Sequence, residues 1–322
     1  MFLSNIFISD AWNINLFGHK NFDFVDVALN KDNLLFIDPC LIENWDNAWA
    51  KKAMCTINSF FSEFYSAYRN DDRVLKCNLL NHAREQNATR LGYGRGDNGK
   101  GNTPEGLMND FMPLESLIHK INTIGIPQDL TVFIPGFAED GFSDLLTNII
   151  HSELNDFTLM QMKKYNIAPN GTTVFYYWDS SLKNWKKLES PCYRYENGEL
   201  LLVPKQIVRK KYLFGIGQYF SRIILERKQS EDNWIDNKGK PISKSVIAKN
   251  LRTDDEHWKY KCAIDYTQIH TDALEEYHRN LPSYYAKCRQ IYDDDLLDKI
   301  IYNKKANIDD INFMENLIRV ER

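Results

Sequence analysis

The spacing of apolar residues along this chain changes from segment to segment, and the spacing predicts which segments are helical. Apolar residues at helical spacing occur in three long stretches, residues 45–68, about 72–82 and 143–165. Short apolar runs predict strands at 22–30 and 34–40, which we expect to form a hairpin, and at 130–134, 172–178 and 200–204. From about Tyr212 onward the pattern is mostly helical.

This order of elements predicts an α+β fold, with a mixed or antiparallel sheet of about five strands, packed helices and a helical C-terminal region. A polar, lysine-rich connection at residues 230–244 is the best candidate for a boundary. We therefore expect an α/β core over residues 1–229 and a mainly helical region over residues 245–322.

Composition narrows the class of protein. The chain has 322 residues and a formal net charge of −4, so it lacks a global basic field, and any contact with nucleic acid must use a local basic patch. Its six cysteines are scattered without a CxxC pair, which is typical of free thiols in a reducing compartment. The N-terminus lacks the features of a signal peptide and no apolar run could span a membrane, so we expect a cytoplasmic protein that has no membrane partner.

The segment from Leu91 to Gly106 is the most unusual part of the chain. It contains six of the fifteen glycines, with basic residues beside or inside it. Glycines crowded in this way suit bare backbone that approaches a ligand, and the neighbouring charges indicate an anionic one. The candidate phosphate-binding residues are Arg90, Gly94, Arg95, Gly96, Gly99 and Lys100.

Two other interpretations of this segment remain. Gly94 to Gly99 formally matches the dinucleotide fingerprint GxGxxG, but the residues before it are polar, where that fingerprint requires a buried strand. The plain alternative is a surface loop without a ligand.

A second group of candidates lies at residues 139–144, where carboxylates cluster at a predicted helix start. Asp140 and Asp144 are one helical turn apart, and hard carboxylate oxygens are the ligands that Mg²⁺ prefers. Asn148 and His151 continue the same polar stripe along the helix. The alternative is that these acids only stabilise the helix N-terminus.

Asp38 and Lys205 each stand at or just after the end of an apolar strand. A strand-borne acid, further carboxylates and a lysine are the parts of many metal-dependent nucleases. We therefore take Asp38, Asp140, Asp144 and Lys205 as candidate catalytic residues, and the three acids as candidate ligands of Mg²⁺. The alternatives are a strand-ending turn at Asp38 and a solvated lysine at Lys205.

Basic and aromatic residues are interleaved from Lys205 to Arg227. Grooves that bind nucleic acid combine charge for phosphates with rings for bases, although a core strand and helix with a solvated basic side would look the same. Other motifs are incomplete. His151 and Glu153 followed by Cys192 resemble a zinc deaminase, but Tyr195 stands where the second cysteine is required. Neither a GxSxG nucleophile elbow nor a P-loop occurs.

Four runs together carry a resemblance: FIDPCLIE (36–43), LGYGRGDNGKG (91–101), DGFSDLLTNII (140–150) and LLVPKQIVRK (201–210). They resemble an uncharacterised family of bacterial proteins associated with mobile and antiphage defence loci. The resemblance implies that the four runs form one unit and favours a defence function. In that family Pro-Glu-x-Asn often precedes the glycine-rich segment, whereas here Arg84 precedes Glu85.

Three functions follow from these residues. The leading expectation is an effector of the antiphage-defence type that cleaves nucleic acid with Mg²⁺. The alternative is a non-catalytic adaptor that senses nucleic acid or a phage protein and assembles with an ATPase partner. A third is an enzyme that acts on a nucleotide or another small phosphate compound.

Overall fold

The computed structural model describes residues 5–31, 33–83, 87–92, 104–135, 137, 140–196, 198–231, 234–287 and 292–302. Within these ranges helical residues greatly outnumber strand residues, and the strands are antiparallel. The chain is a mixed helix-and-strand protein. None of the described helices is long and apolar enough to cross a bilayer.

The helices follow one another in chain order and are numbered accordingly. In the first half they are α1 (Ile8–Ala11), α2 (Pro39–Asn44), α3 (Ala48–Arg69), α4 (Arg73–Leu80), α5 (Pro104–Asp110), α6 (Met112–Ile118), α7 (Asp129–Phe133), α8 (Asp140–Ile149) and α9 (His151–Lys164). In the second half they are α10 (Ile216–Tyr219), a π-helical turn (Phe220–Ile224), α11 (Leu225–Glu231), α12 (Lys244–Leu251), α13 (Trp258–Ile269), α14 (Ala273–Ala286) and α15 (Asp294–Tyr302).

The strands are short apart from one hairpin. They are β1 (Phe36–Ile37), β2 (Gly171–Asp179), β3 (Asn184–Cys192), β4 (Arg194–Tyr195), β5 (Gly198–Glu199) and β6 (Val208–Arg209). In the described residues they pair as β1 with β6, β2 with β3 and β4 with β5, rather than as one sheet of about five strands. Helix α8 packs against both β1 and β2, so a helix, and not a ladder of hydrogen bonds, joins these two sheets.

The predicted hairpin of residues 22–30 and 34–40 is wrong. Residues around Phe24 pair instead with the segment around Pro204, and β1 pairs with β6. The side chain of Asn33 explains the difference, because it exchanges hydrogen bonds with the backbone of Ala28 (3.0 and 2.8 Å). These bonds close the chain locally in place of a strand ladder, so both segments are left to pair with residues much later in the sequence.

The helix predictions were better than the strand predictions. Helix α3 closely matches the predicted 45–68 helix, begins at the side-chain cap of Asn47 and buries one apolar face. The predicted 143–165 helix is two helices, α8 and α9, which meet at Ile150 (φ −98°, ψ 25°). The predicted strand at 130–134 is helix α7, because a five-residue run buried on every side has no period that separates helix from strand.

One buried apolar cluster holds these elements together. It extends from Ile8 to Ile301 and includes Leu274, Tyr277 and Leu297 of the C-terminal helices. The division into a core over 1–229 and a helical region over 245–322 stays a prediction, and the buried cluster passes across that boundary. The C-terminal helices therefore pack on the first part of the chain.

Candidate functional site

Segments far apart in the sequence meet around β1. The backbone N–H of Ile37 in β1 donates to the hydroxyl of Ser143 near the start of α8 (3.1 Å). Gly92 is the last described residue in the first part of the glycine-rich segment. It pairs with Asn33, just before β1, and its N–H lies 2.9 Å from the Asn33 carbonyl oxygen. The first part of the glycine-rich segment, the acidic helix start and the β1–β6 pair are therefore neighbours.

Asp140, the first residue of α8, lies against Gly92. The backbone of Gly92 has a φ of +91°, and a Cβ added to it would collide with the carboxylate of Asp140. Only glycine satisfies both the left-handed backbone and the close approach. The carboxylate that was predicted to bind a metal thus touches the first glycine of the segment that was predicted to bind phosphate.

Helix α8 carries further polar residues on the same face. Asp144 follows Asp140 by one turn and Asn148 follows by another, and His151 continues the row after the break at Ile150. The amide of Asn148 donates to the backbone carbonyl of Asp144 (2.9 Å). Asp140 and Asp144 are partly exposed, whereas Asn148 and His151 are buried. The row therefore runs from the surface beside Gly92 into the interior.

The buried end of this row contains a His–Glu pair. The imidazole Nε2 of His151 lies 3.3 Å from a carboxylate oxygen of Glu199, at the end of β5. The ring stacks in parallel on Phe175, with centroids 3.9 Å apart. Burial alone would raise the pKa of Glu199, but the neighbouring imidazole lowers it below its ordinary value. The structure therefore stabilises Glu199 as a carboxylate.

Arg90 connects the two ends of the site. Its backbone is left-handed (φ +58°), and its carbonyl accepts a hydrogen bond from the Asn33 amide (2.8 Å). Its guanidinium lies beside Gly198, because a Cβ on Gly198 would be 3.5 Å from Nη2. Arg90 therefore brings positive charge next to the β5 residue that precedes Glu199.

These six residues, Asp140, Asp144, Asn148, His151, Glu199 and Arg90, are called the α8 site below. Together they offer two carboxylates, a guanidinium and an imidazole–carboxylate pair along one polar row. A family model described as "Domain of unknown function (DUF8370)" matches residues 13–214. The chain belongs to the DUF8370 family. No curated protein and no solved structure matches the chain.

The DUF8370 domain contains the whole α8 site, and all four predicted catalytic residues fall inside it as well. The resemblance stated above implied that four sequence runs form one unit, and those runs also lie inside the matched residues. Helix α15 and the other C-terminal helices lie outside them.

Asp38, one of the predicted metal ligands, forms hydrogen bonds that hold parts of the fold together. Its two carboxylate oxygens accept hydrogen bonds from the backbone N–H groups of Cys40 (2.9 Å) and Leu213 (2.8 Å). It caps α2 and ties β1 to the residues after β6. Burial raises the pKa of this carboxyl above its ordinary value, although these N–H donors oppose the shift. Both oxygens face donors, so Asp38 does not fit the part of a metal ligand.

Lys205 lies in a different place from the α8 site. Its ammonium donates to the carbonyl of His19 (2.7 Å) and pairs with Asp294 of α15 (2.6 Å). Of the predicted phosphate-binding residues, Gly94, Arg95, Gly96, Gly99 and Lys100 lie outside the described residues. Arg90 is described and belongs to the site.

Within the described ranges, no three His, Cys, Asp or Glu side chains are grouped in a way that could hold a metal ion. Mg²⁺ is commonly held by a smaller set, of one or two carboxylates together with water and substrate phosphates. Asp140 and Asp144 fit that smaller set, and Asp38 does not.

Glu199 is the residue of the site that the sequence did not reveal. It follows a turn in a polar stretch, far from His151 along the chain, and no spacing rule connects the two. Only the packing of β5 beside the start of α9 brings them together. His151 itself was visible as the end of the polar stripe that begins at Asp140.

Proposed function

We propose that the protein is an effector that cleaves nucleic acid at the α8 site with the help of Mg²⁺. The observation that supports this function is the contact between Asp140 and Gly92. Two features selected separately in the sequence, one for metal binding and one for phosphate binding, meet there. A metal-dependent phosphodiester site requires both in one place.

The residues of the site have distinct parts in this proposal. Asp140 and Asp144, partly exposed, provide the oxygens that would hold Mg²⁺. When bound, that ion acts as a Lewis acid toward a phosphate oxygen. Arg90 provides a guanidinium, whose planar donors match a phosphate and keep their charge at any working pH.

The buried His151–Glu199 pair has a positioning part. His151 is almost fully buried and stacked on Phe175, so it is held rigidly at the inner end of the polar row. Glu199 follows Gly198, which lies against the Arg90 guanidinium. The pair therefore fixes the strand against which Arg90 is placed.

The test is incubation of the purified protein with plasmid, single-stranded DNA and tRNA, with Mg²⁺ or with EDTA. We expect cleavage that requires the metal, that is lost in Asp140→Asn/Asp144→Asn, and that is retained in Asp156→Asn. Asp156 is the matched control because it is an exposed carboxylate on α9 that pairs with Lys52 at the surface (3.2 Å). Cleavage that persists in the double variant would contradict the proposal.

The second candidate is the adaptor that senses nucleic acid or a phage protein and assembles with an ATPase. One feature of the fold favours it. The polar side-chain atoms of two predicted catalytic residues, Asp38 and Lys205, form contacts within the protein. An adaptor would bind nucleic acid in EDTA, would lose affinity in Arg90→Gln, and would cleave nothing with any metal. The assignment of either candidate to antiphage defence rests on the family resemblance alone.

A further inference from the structure

Helix α15 packs on the DUF8370 domain through its acidic residues. The carboxylate of Asp294 lies 2.6 Å from the ammonium of Lys205, which also donates to the carbonyl of His19. Lys205 lies within the residues matched by the family model, whereas Asp294 lies outside them. An anionic group of the C-terminal segment therefore sits on a basic group of the family domain.

Asp298, one helical turn after Asp294 in α15, enters a cradle of donors. One carboxylate oxygen of Asp298 accepts hydrogen bonds from both the backbone N–H of His19 (2.8 Å) and its ring Nδ1 (2.6 Å). The other oxygen faces Gly18, where a Cβ would stand 3.0 Å away and where φ is +88°. Bare backbone, an amide and an imidazole thus converge on one anion.

A contact within the family domain orients the imidazole of the cradle. The ring of His19 is fully buried, and its Nε2 accepts a hydrogen bond from the backbone N–H of Asp26 (3.2 Å). This bond leaves the proton on Nδ1, so the neutral ring donates toward Asp298. Burial lowers the pKa of His19, in spite of the opposing effect of Asp298, which agrees with a neutral ring.

An aromatic ring precedes the two acids. Tyr292 lies under the guanidinium of Arg209, with 4.8 Å between the guanidinium carbon and the ring centroid. Its hydroxyl accepts a hydrogen bond from the backbone N–H of Lys210 (3.2 Å). Stacking of rings on arginine, together with phosphates on basic groups, is how proteins hold single-stranded nucleic acid.

This segment therefore presents a ring and then the carboxylates of Asp294 and Asp298, which are four residues and so about 6 Å apart along the helix axis. From the ligand-like character of these contacts we propose that the surface beneath α15, formed by Gly18, His19, Lys205, Arg209 and Lys210, binds single-stranded nucleic acid, and that α15 occupies it as a resident competitor. The choice of nucleic acid as the ligand rests on the proposed function. It adds a second contact surface, formed by residues other than those of the α8 site.

The contacts of α15 suit a displaceable cover. The Asp294 and Asp298 side chains are 36% and 30% exposed. The ion pair of Asp294 with Lys205 therefore contributes little to stability in water, and Asp298 is held by hydrogen bonds from the backbone and the neutral ring of His19. Leu297 and Ile301 are buried and keep the helix in place when no ligand is present. A nucleic acid gains free energy from counterion release when its phosphates replace these carboxylates, and the gain is greatest at low salt.

The test measures binding of a fluorescein-labelled single-stranded oligothymidylate to the full chain in EDTA by anisotropy. Asp294→Asn/Asp298→Asn removes the competing charges and leaves the apolar residues of α15 unchanged. The charge-matched control is Asp295→Asn/Asp254→Asn, which removes two exposed acids, one of them on α15. We expect the first variant to bind about tenfold more tightly than wild type, which corresponds to about 1.4 kcal/mol, and the control to bind as wild type does.

Addition of Lys205→Gln to the first variant should return the affinity to that of wild type or below. Equal affinity of the two double variants would overturn the inference while leaving the proposed function standing, because cleavage at the α8 site is measured separately with Mg²⁺. A thermal melt of each variant checks that it is folded. If Asp294→Asn/Asp298→Asn does not fold, hydrogen exchange of the wild-type protein tests the inference instead. The inference requires that residues 292–302 exchange faster when the oligothymidylate is added, and unchanged exchange would overturn it.

Discussion

The carboxylate of Asp140 occupies the space where a side chain on Gly92 would begin, since a Cβ added to Gly92 would lie 2.1 Å from Oδ1 of Asp140. Each residue constrains the other. The carboxylate can occupy its position only because Gly92 has no side chain, and the chain can turn there only because glycine tolerates a φ of +91°. This contact connects the glycine-rich segment to helix α8.

Gly92→Ala should therefore damage the site more than the fold. Strain from the positive φ costs about 1–2 kcal/mol, and the new methyl group also displaces Asp140. Gly239→Ala is the matched control, because Gly239 has a φ of +74° and open space around its Cα. In urea unfolding both variants should lose stability, but only Gly92→Ala should lose metal-dependent cleavage. Normal cleavage by folded Gly92→Ala would show that the contact has no part in function.

Asp38→Asn should, in contrast, damage the fold more than the site. An amide can still accept from one backbone N–H, but its NH₂ group faces the second donor, so a buried hydrogen bond is lost at Cys40 or Leu213. We expect the free energy of unfolding to fall by about 1–3 kcal/mol. Cleavage per folded molecule should stay unchanged, as judged by activity normalised to the native circular dichroism signal. A stable variant that has lost only its cleavage would restore Asp38 as a metal ligand.

The ion pair between His278 of α14 and Asp129 of α7 (2.7 Å) makes stability depend on pH. Burial would lower the pKa of His278, but the hydrogen bond to Asp129 raises it above its ordinary value. The folded state thus binds the proton more tightly than the unfolded chain. The stabilisation is fully present below the unfolded pKa of about 6.5 and is lost as the pH rises through the folded pKa.

The difference in unfolding free energy between wild type and His278→Gln should therefore be larger at about pH 6 than at about pH 9. Urea unfolding at both pH values measures it. His257→Gln is the control, since that imidazole is 46% exposed and its ion pair is with its sequence neighbour Glu256 (3.4 Å). A difference that is equal at both pH values would mean that His278 is neutral in the folded protein.

Local patterns predicted the local parts of this structure. Helix α3 has an amphipathic period and a capping Asn47, and both are visible without a partner. The acidic start of α8 was visible for the same reason, since its residues follow one helical face. These predictions depend only on residues that are close together in the sequence, so one sequence is enough to make them.

Pairing between distant segments was not predictable. The strand partner of β1 is β6, and the hydrogen bonds of the Asn33 side chain, which prevent the expected hairpin, have no signature in the sequence. The same holds for Glu199 beside His151 and for Asp294 on Lys205. Asp38 shows the consequence for predicting a site. In the sequence, a buried helix cap and a metal ligand look identical until the donors around the carboxylate are known.

Metal binding at Asp140 and Asp144 is the central claim, and Mn²⁺ in place of Mg²⁺ tests it without relying on turnover. Electron paramagnetic resonance would follow the loss of the free Mn²⁺ signal as protein is added, with a single-stranded oligothymidylate present to provide phosphates. Wild type and folded Asp38→Asn should bind the ion, and Asp140→Asn/Asp144→Asn should leave it free. Mn²⁺ binding that is unchanged in the double variant, or absent from wild type, would contradict the account.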